Sequence, residues 1–147
     1  MRKEKEVYDC AVSWSWLLQF STDRQTDLRG KTTQEVVSKI IIPETIKKQI
    51  RYVDLISSPH VAKPTYFVSH YWGYRFLDLI ESLKSYFSGV SDNDRANIYL
   101  WIDIFAVNQH RGSDQQTTDL ENLHLAIHES GKGTLVCMDN KGTLLTR

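Results

Sequence analysis

Ser69, His70, Tyr71, Trp72, Asp103 and Glu121 are the side chains whose type and placement could do chemistry. The first four lie together in P-T-Y-F-V-S-H-Y-W-G, residues 64–73. An imidazole can take or give a proton near neutral pH, and Tyr71 and Trp72 can stack on a heteroaromatic ring. Trp72 equally suits a partly buried aromatic packed over a sheet edge. His70 and His110 equally suit polar loop positions, and His60 carries no signal. Asp103 is the one charge in the apolar run I-Y-L-W-I-D-I-F, residues 98–105. A carboxylate there must be paired, hydrogen-bonded or brought out at a strand end. It therefore either binds a ligand hydroxyl or fixes the neighbouring loop through backbone N–H groups.

Glu121 is expected in the first turn of a helix, where an acid complements the dipole. At about 100° per residue, Glu121, His124 and His128 share one flank. Such an E-x-x-H-x-x-x-H spacing could begin a metal cluster, but zinc sites need further ligands and a supporting shell. Solvated histidines produce the spacing freely, so no metal is expected. The sequence has no Walker or G-x-G-x-x-G loop to cradle phosphates. It has no G-x-S-x-G elbow around Ser69 either, which disfavours a serine hydrolase.

The elements that must position these residues follow from pattern. Pro64 opens a short apolar strand, Tyr66–Val68, that delivers into the Ser69–Trp72 turn. Phe76, Leu79, Ile80, Leu83, Tyr86 and Phe87 recur at helical spacing, predicting an amphipathic helix over 74–87. The run 98–105 reads as a strand covered on both faces, with Asn108–Thr118 as a polar loop. Thr118 or Asp119 can cap a helix running to Ser130 with Leu120, Leu123 and Ile127 inward. Gly131 and Gly133 end it, Thr134–Met138 is a third strand, and Asp139–Arg147 a polar tail. Strand, helix, strand, helix, strand implies right-handed crossovers and a parallel sheet. All three strands then aim their carboxyl ends at one rim, which carries the Ser69–Trp72 turn, Asp103 and the surroundings of Glu121. Ligands bind at such a rim in open α/β sheets.

Residues 1–63 read as a first, mainly helical region; three strands make a narrow sheet, so either this region completes it or the chain is cut short. Ala11–Phe20 is aromatic-rich, and Ser21–Lys31 reads as a loop ending in Gly30. Thr32-Thr33-Gln34-Glu35 fits a capping box ahead of Val36, Val37, Ile40 and Ile41. Pro43 suits the first turn of a short helix, Glu44–Ile50. Tyr52–Ile56 fits either a strand or a further helical turn.

The chain has 147 residues, 41% hydrophobic and 24% charged, with a formal net charge of zero. That supports one domain with a sizeable core. It gives no electrostatic basis for nucleic-acid or membrane-surface binding. Cys10 and Cys137 stand outside any metal or redox spacing and fit a reducing interior. The N-terminus lacks an apolar signal core, and no apolar run reaches membrane-spanning length. The expectation is a soluble, cytoplasmic protein.

Several segments carry a resemblance. F-V-S-H-Y-W-G, residues 67–73, resembles the first box of Toll/interleukin-1 receptor (TIR) domains. The strand ending in Asp103 is similar to their second strand. L-H-L-A-I-H-E-S followed by T-L-V-C-M resembles their helix B and strand C. T-T-Q-E-V-V, W-I-D-I-F-A-V-N-Q-H and L-L-T-R look more closely like a TIR-like family of algal, oomycete and other protist proteins. There the last segment runs into a W-C-x-x-E helix, and this chain is expected to stop just before it. The resemblance implies a flavodoxin-like three-layer fold with a parallel sheet over residues 64–147, behind an N-terminal helical extension over 1–63.

It also implies one of two kinds of work. Some TIR domains are NAD+ glycohydrolases, in which a helix-B glutamate engages the nicotinamide-side ribose. Others associate with further TIR domains without catalysis. Glu121 is the implied catalytic carboxylate, one residue before the position that Asn122 holds in the alignment. Ser69, His70, Tyr71, Trp72 and Asp103 are the implied substrate-binding residues. NAD+ would be substrate, with no separate cofactor and no metal. The nicotinamide ring is cationic while bonded and leaves as a neutral molecule without protonation, so one carboxylate beside the developing oxocarbenium suffices.

Overall fold

The computed structural model describes residues 4–137 and the backbone of Leu144–Thr146. Its strands are β1 (Ala11–Ser13), β2 (Val61–Ala62), β3 (Tyr66–Ser69), β4 (Tyr99–Trp101), β5 (Thr134–Cys137) and β6 (Leu144–Thr146). They form one open sheet in the order β2-β1-β4-β3-β5-β6. β3 lies between two parallel neighbours, pairing Phe67 with Trp101 on β4 and Val68 with Leu135 on β5. The outer pairings, β4 with β1, β1 with β2 and β5 with β6, are antiparallel. The architecture is α/β with a mixed sheet and a parallel centre.

The first region therefore completes the sheet. β1 escapes a periodicity reading because Ala11, Val12 and Ser13 are all buried, which erases the alternation a half-exposed strand displays. β6 likewise replaces part of the expected polar tail. Met138 and residues 139–143 lie outside the described residues.

Two expectations about helices change. Ser13 caps α1 (Trp14–Asp23), its hydroxyl accepting the Trp16 N–H at 3.0 Å. α1 and a further turn, Gln25–Leu28, occupy most of the expected loop, and Leu28 is fully buried. Next, the Thr32–Glu35 capping box forms with both reciprocal bonds. The helix it starts, α2 (residues 33–45), is continuous past Pro43, so no separate helix begins there. Proline cannot donate to the carbonyl four residues back. The chain widens into a π-type turn over Val37–Ile41, with Ile42 N–H bonding Val37 C=O. Tyr52–Leu55 adopts a 3-10 turn.

α3 (Phe76–Tyr86) matches the amphipathic pattern and buries Phe76, Leu79, Ile80 and Leu83. The apolar run 98–105 is not one strand. β4 ends at Trp101, and α4 (Asp103–Ala106) begins at once, with Val107 N–H closing onto Asp103 C=O. A run buried throughout has no period to separate strand from helix.

The last crossover departs furthest. α5 (Asp114–Glu121) is capped by Ser113, and α6 (Leu123–Glu129) follows after a break at Asn122. Neither Thr118 nor Asp119 caps it, because Asp119 is turned inward. Asp119 and Ala126 are fully buried, while Leu120 is 56% and Ile127 46% exposed. The helix face is thus rotated from the expected apolar stripe toward a buried carboxylate. Among the described residues no helix is long and apolar enough to cross a membrane.

Candidate functional site

The site is built at the carboxyl rim of the parallel strands. β3 releases the chain into His70, and a turn closes with Tyr74 N–H on Tyr71 C=O at 3.1 Å. The start of α2 holds this turn in place. Gln34 N–H bonds Trp72 C=O and Thr33 N–H bonds Tyr74 C=O, each at 3.0 Å. Phe76 N–H returns to Lys31 C=O at 3.0 Å. The first N–H groups of a helix lack intrahelical partners, and here the loop's carbonyls supply them. The capping box thereby positions the loop as well as its own helix.

Within the loop the side chains divide. Trp72 Nε1–H donates to Asp103 Oδ2 at 2.9 Å. His70 turns inward, its side chain 3% exposed, with Nε2 3.7 Å from Asp103 Oδ1. That separation is too long for a hydrogen bond. Both His70 ring nitrogens and Asp103 Oδ1 are buried without a hydrogen-bond partner among the described residues. The Asp103 side chain as a whole is 37% exposed, with Oδ1 its buried oxygen. Gln109 steadies the backbone below, donating to Asp103 C=O at 3.0 Å.

Tyr71 faces out at 65% exposure and meets Tyr74 edge-on at 5.1 Å. Its ring lies so close over Gly73 that a Cβ there would stand 2.3 Å from it. Ser69, the last residue of β3, is exposed. His70 is not within bonding reach of it as a base, so the hydroxyl is not an activated nucleophile. A cleft of about 390 Å³ lined by Thr32, Gly73, Tyr74, Arg75 and Asp78 adjoins the loop.

Burial lowers the His70 pKa, against the upward pull of the Asp103 charge and of the Val68 carbonyl beside the ring. Burial raises that of Asp103, opposed by His70, the Trp72 indole and nearby backbone N–H groups. The His70 ring is sealed from solvent while the Asp103 side chain is partly in it, so burial acts most strongly on the imidazole. A neutral imidazole beneath a rim carboxylate is the resulting electrostatic picture. Cys10 is no alternative nucleophile, because burial pushes its thiol up to about 12.

The structure thus brings Ser69, His70, Tyr71, Trp72 and Asp103 to one rim. Glu121 is placed differently. It is the exposed last residue of α5 rather than part of a first turn. Among the described residues no hydrogen bond or ion pair joins it to the rim. His124 and His128 are exposed on the following helix. Among the described residues no group of three or more His, Cys, Asp or Glu side chains is placed to hold a metal ion.

Pattern reading missed Arg51 and Asp119, whose side chains are 4% and 1% exposed and form an ion pair. A cleft of about 490 Å³ beside them is also lined by Lys5, Asp114 and Gln115. It is larger than the rim cleft, yet its two strongest charges already satisfy each other. Nothing in spacing links these residues, which lie 68 apart in sequence. No protein-family model, curated protein or solved structure matches the chain. Function must therefore be argued from the rim itself.

Proposed function

We propose that the chain is a TIR-like domain that binds NAD+ at this rim and cleaves its nicotinamide–ribose bond, acting in cytoplasmic signalling or defence. The carrying observation is the Asp103 carboxylate, held by the Trp72 indole and partly open to solvent at the parallel strands' carboxyl ends. The order β4-β3-β5 supports a flavodoxin-like sheet, since it reads second, first, third along the chain. Doubly wound sheets of that order take ligands beside the first strand, where the chain reverses direction across the sheet. Cleavage of an N-glycosidic bond to a cationic leaving group needs negative charge beside the developing oxocarbenium. Asp103 is the carboxylate best placed to supply it, with Trp72 and Tyr71 offering aromatic surface to the nicotinamide. Glu121, the carboxylate implied by resemblance, would have to act across an assembled pair of chains.

Nicotinamide release from NAD+ at assembling protein concentrations tests this. Turnover lost in Asp103→Asn and kept in Glu121→Ala assigns the chemistry to Asp103, and the reverse assigns it to Glu121. A folded wild type that releases no nicotinamide overturns the enzymatic reading. The second reading, a homotypic association module without turnover, is favoured by Leu120 and Ile127, apolar and exposed on either side of the α5–α6 break.

A further inference from the structure

Three buried polar atoms meet beneath the rim without a well-formed hydrogen bond, His70 Nδ1, His70 Nε2 and Asp103 Oδ1, although the Val68 carbonyl faces the ring and the Asp103 and Ile104 N–H groups face the carboxylate. Unpaired buried polar atoms are uncommon, and each asks for an explanation. The pair at issue is close, with Nε2 and Oδ1 3.7 Å apart, so a small side-chain rotation closes it to bonding distance. The opposite oxygen is already held, Oδ2 accepting from the Trp72 indole at 2.9 Å. A carboxylate has about four lone-pair sites and no donor of its own when ionised. The ring at 3% exposure is sealed from any ligand, so whatever His70 does for a ligand it does through Asp103.

We propose that His70 is a positioning residue for Asp103. Its neutral imidazole, protonated at Nε2, donates to Oδ1 while Trp72 donates to Oδ2, and the two donors fix the carboxylate plane. The open lone pair on the Oδ2 side then faces one hydroxyl of a ribose-type diol. This rests on Asp103 being the carboxylate that meets the ligand, and it adds ligand class and division of labour to that reading. A carboxylate clamped from both oxygens is preorganised, and small misplacements of such a group are expensive in rate. His70 in this role holds its proton throughout and transfers none.

The test uses the full chain in two parts. Long-range nitrogen–proton NMR on the wild type reads the tautomer directly. Protonation at Nε2 is expected, and a ring protonated at Nδ1 with bare Nε2 overturns the proposal without any variant. His70→Gln, which keeps a donor near the Nε2 position, and His70→Leu, which does not, are then compared. In His70→Leu the Asp103 carboxyl carbon and the Trp72 indole N–H resonances should move, with His70→Gln restoring both. Affinity for NAD+ should fall on the order of 10- to 100-fold in His70→Leu and recover in His70→Gln. Equal effects of the two substitutions would leave His70 a packing residue and defeat the proposal. If the wild type shows the Nε2 tautomer yet binds no NAD+, the clamp stands and the ligand assignment falls.

Discussion

Arg51 and Asp119, 68 residues apart, meet as a doubly bonded ion pair sealed from solvent, with Nε to Oδ2 at 3.0 Å. Their remaining polar capacity is also used: Arg51 Nη1 donates to Lys5 C=O at 2.6 Å, and Asn108 N–H to Asp119 Oδ2 at 2.9 Å. Removing one partner leaves a buried charge alone, which costs about 3–5 kcal/mol, whereas replacing both with apolar groups is often neutral. Arg51→Ala and Asp119→Ala should each lower urea-unfolding stability by that amount. Arg51→Met with Asp119→Leu should recover most of the loss.

The buried His70 sets an acid limb on stability. Its pKa is lowered in the folded chain, so below about pH 6.5 the unfolded chain takes a proton that the folded chain refuses. The stabilising contribution is complete above that pH and lost as pH falls toward the lowered folded value. The slope from this one group reaches about 1.4 kcal/mol per pH unit. Asp103 acts with the opposite sign, since its raised pKa lets the folded chain hold a proton more tightly. Denaturant titrations across pH 5–7 should show a shallower acid loss in His70→Gln than in the wild type. In Asp103→Asn, imidazole NMR should find the His70 midpoint lower still.

Thr32 links helix stability to the rim. Its hydroxyl accepts Glu35 N–H at 3.2 Å, and the next two N–H groups of the helix bind the loop at Tyr74 and Trp72. Thr32→Ala should cost about 1 kcal/mol. It should also speed amide exchange at Gln34 and move the Trp72 indole resonance, although Thr32 touches neither rim side chain.

Leu120 and Ile127 contribute little to the folded monomer, being 56% and 46% exposed. Leu120→Glu with Ile127→Glu should change unfolding stability by no more than about 0.5 kcal/mol per site. If the chain works by self-association through this flank, sedimentation should show a concentration-dependent oligomer that the double variant loses.

Legibility in the sequence followed solvent. α3 could be read because one flank of Phe76–Tyr86 is wet and the other dry, and Thr32–Glu35 because a capping box is local chemistry. The Ser69–Trp72 turn and Asp103 could be read as one rim from strand order alone. Where burial is complete, the pattern vanishes: Ala11–Ser13 hid a strand, and residues 98–105 hid the change from β4 to α4. On the last crossover the misleading signal was polarity itself. Asp119 resembles a cap and Leu120 a core residue, but a partner 68 positions away reverses them. The inward turn of His70 was equally invisible, since whether a loop side chain faces solvent or Asp103 depends on packing that no spacing encodes.

The pairing of β1 with β4 and the lacing of the loop to α2 bear on how the molecule could be cut. A fragment beginning at Pro64 would carry all five rim residues and still lack the rim. The carbonyls of Trp72 and Tyr74 would lose the Gln34 and Thr33 N–H groups. The flank of Leu100 and Tyr99, now matched to Val12 and Ser13, would become a bare edge inviting aggregation. The stretch that shapes the rim is therefore longer than the stretch that supplies its side chains, and the backbone of residues 31–34 belongs to it as much as Trp72 does.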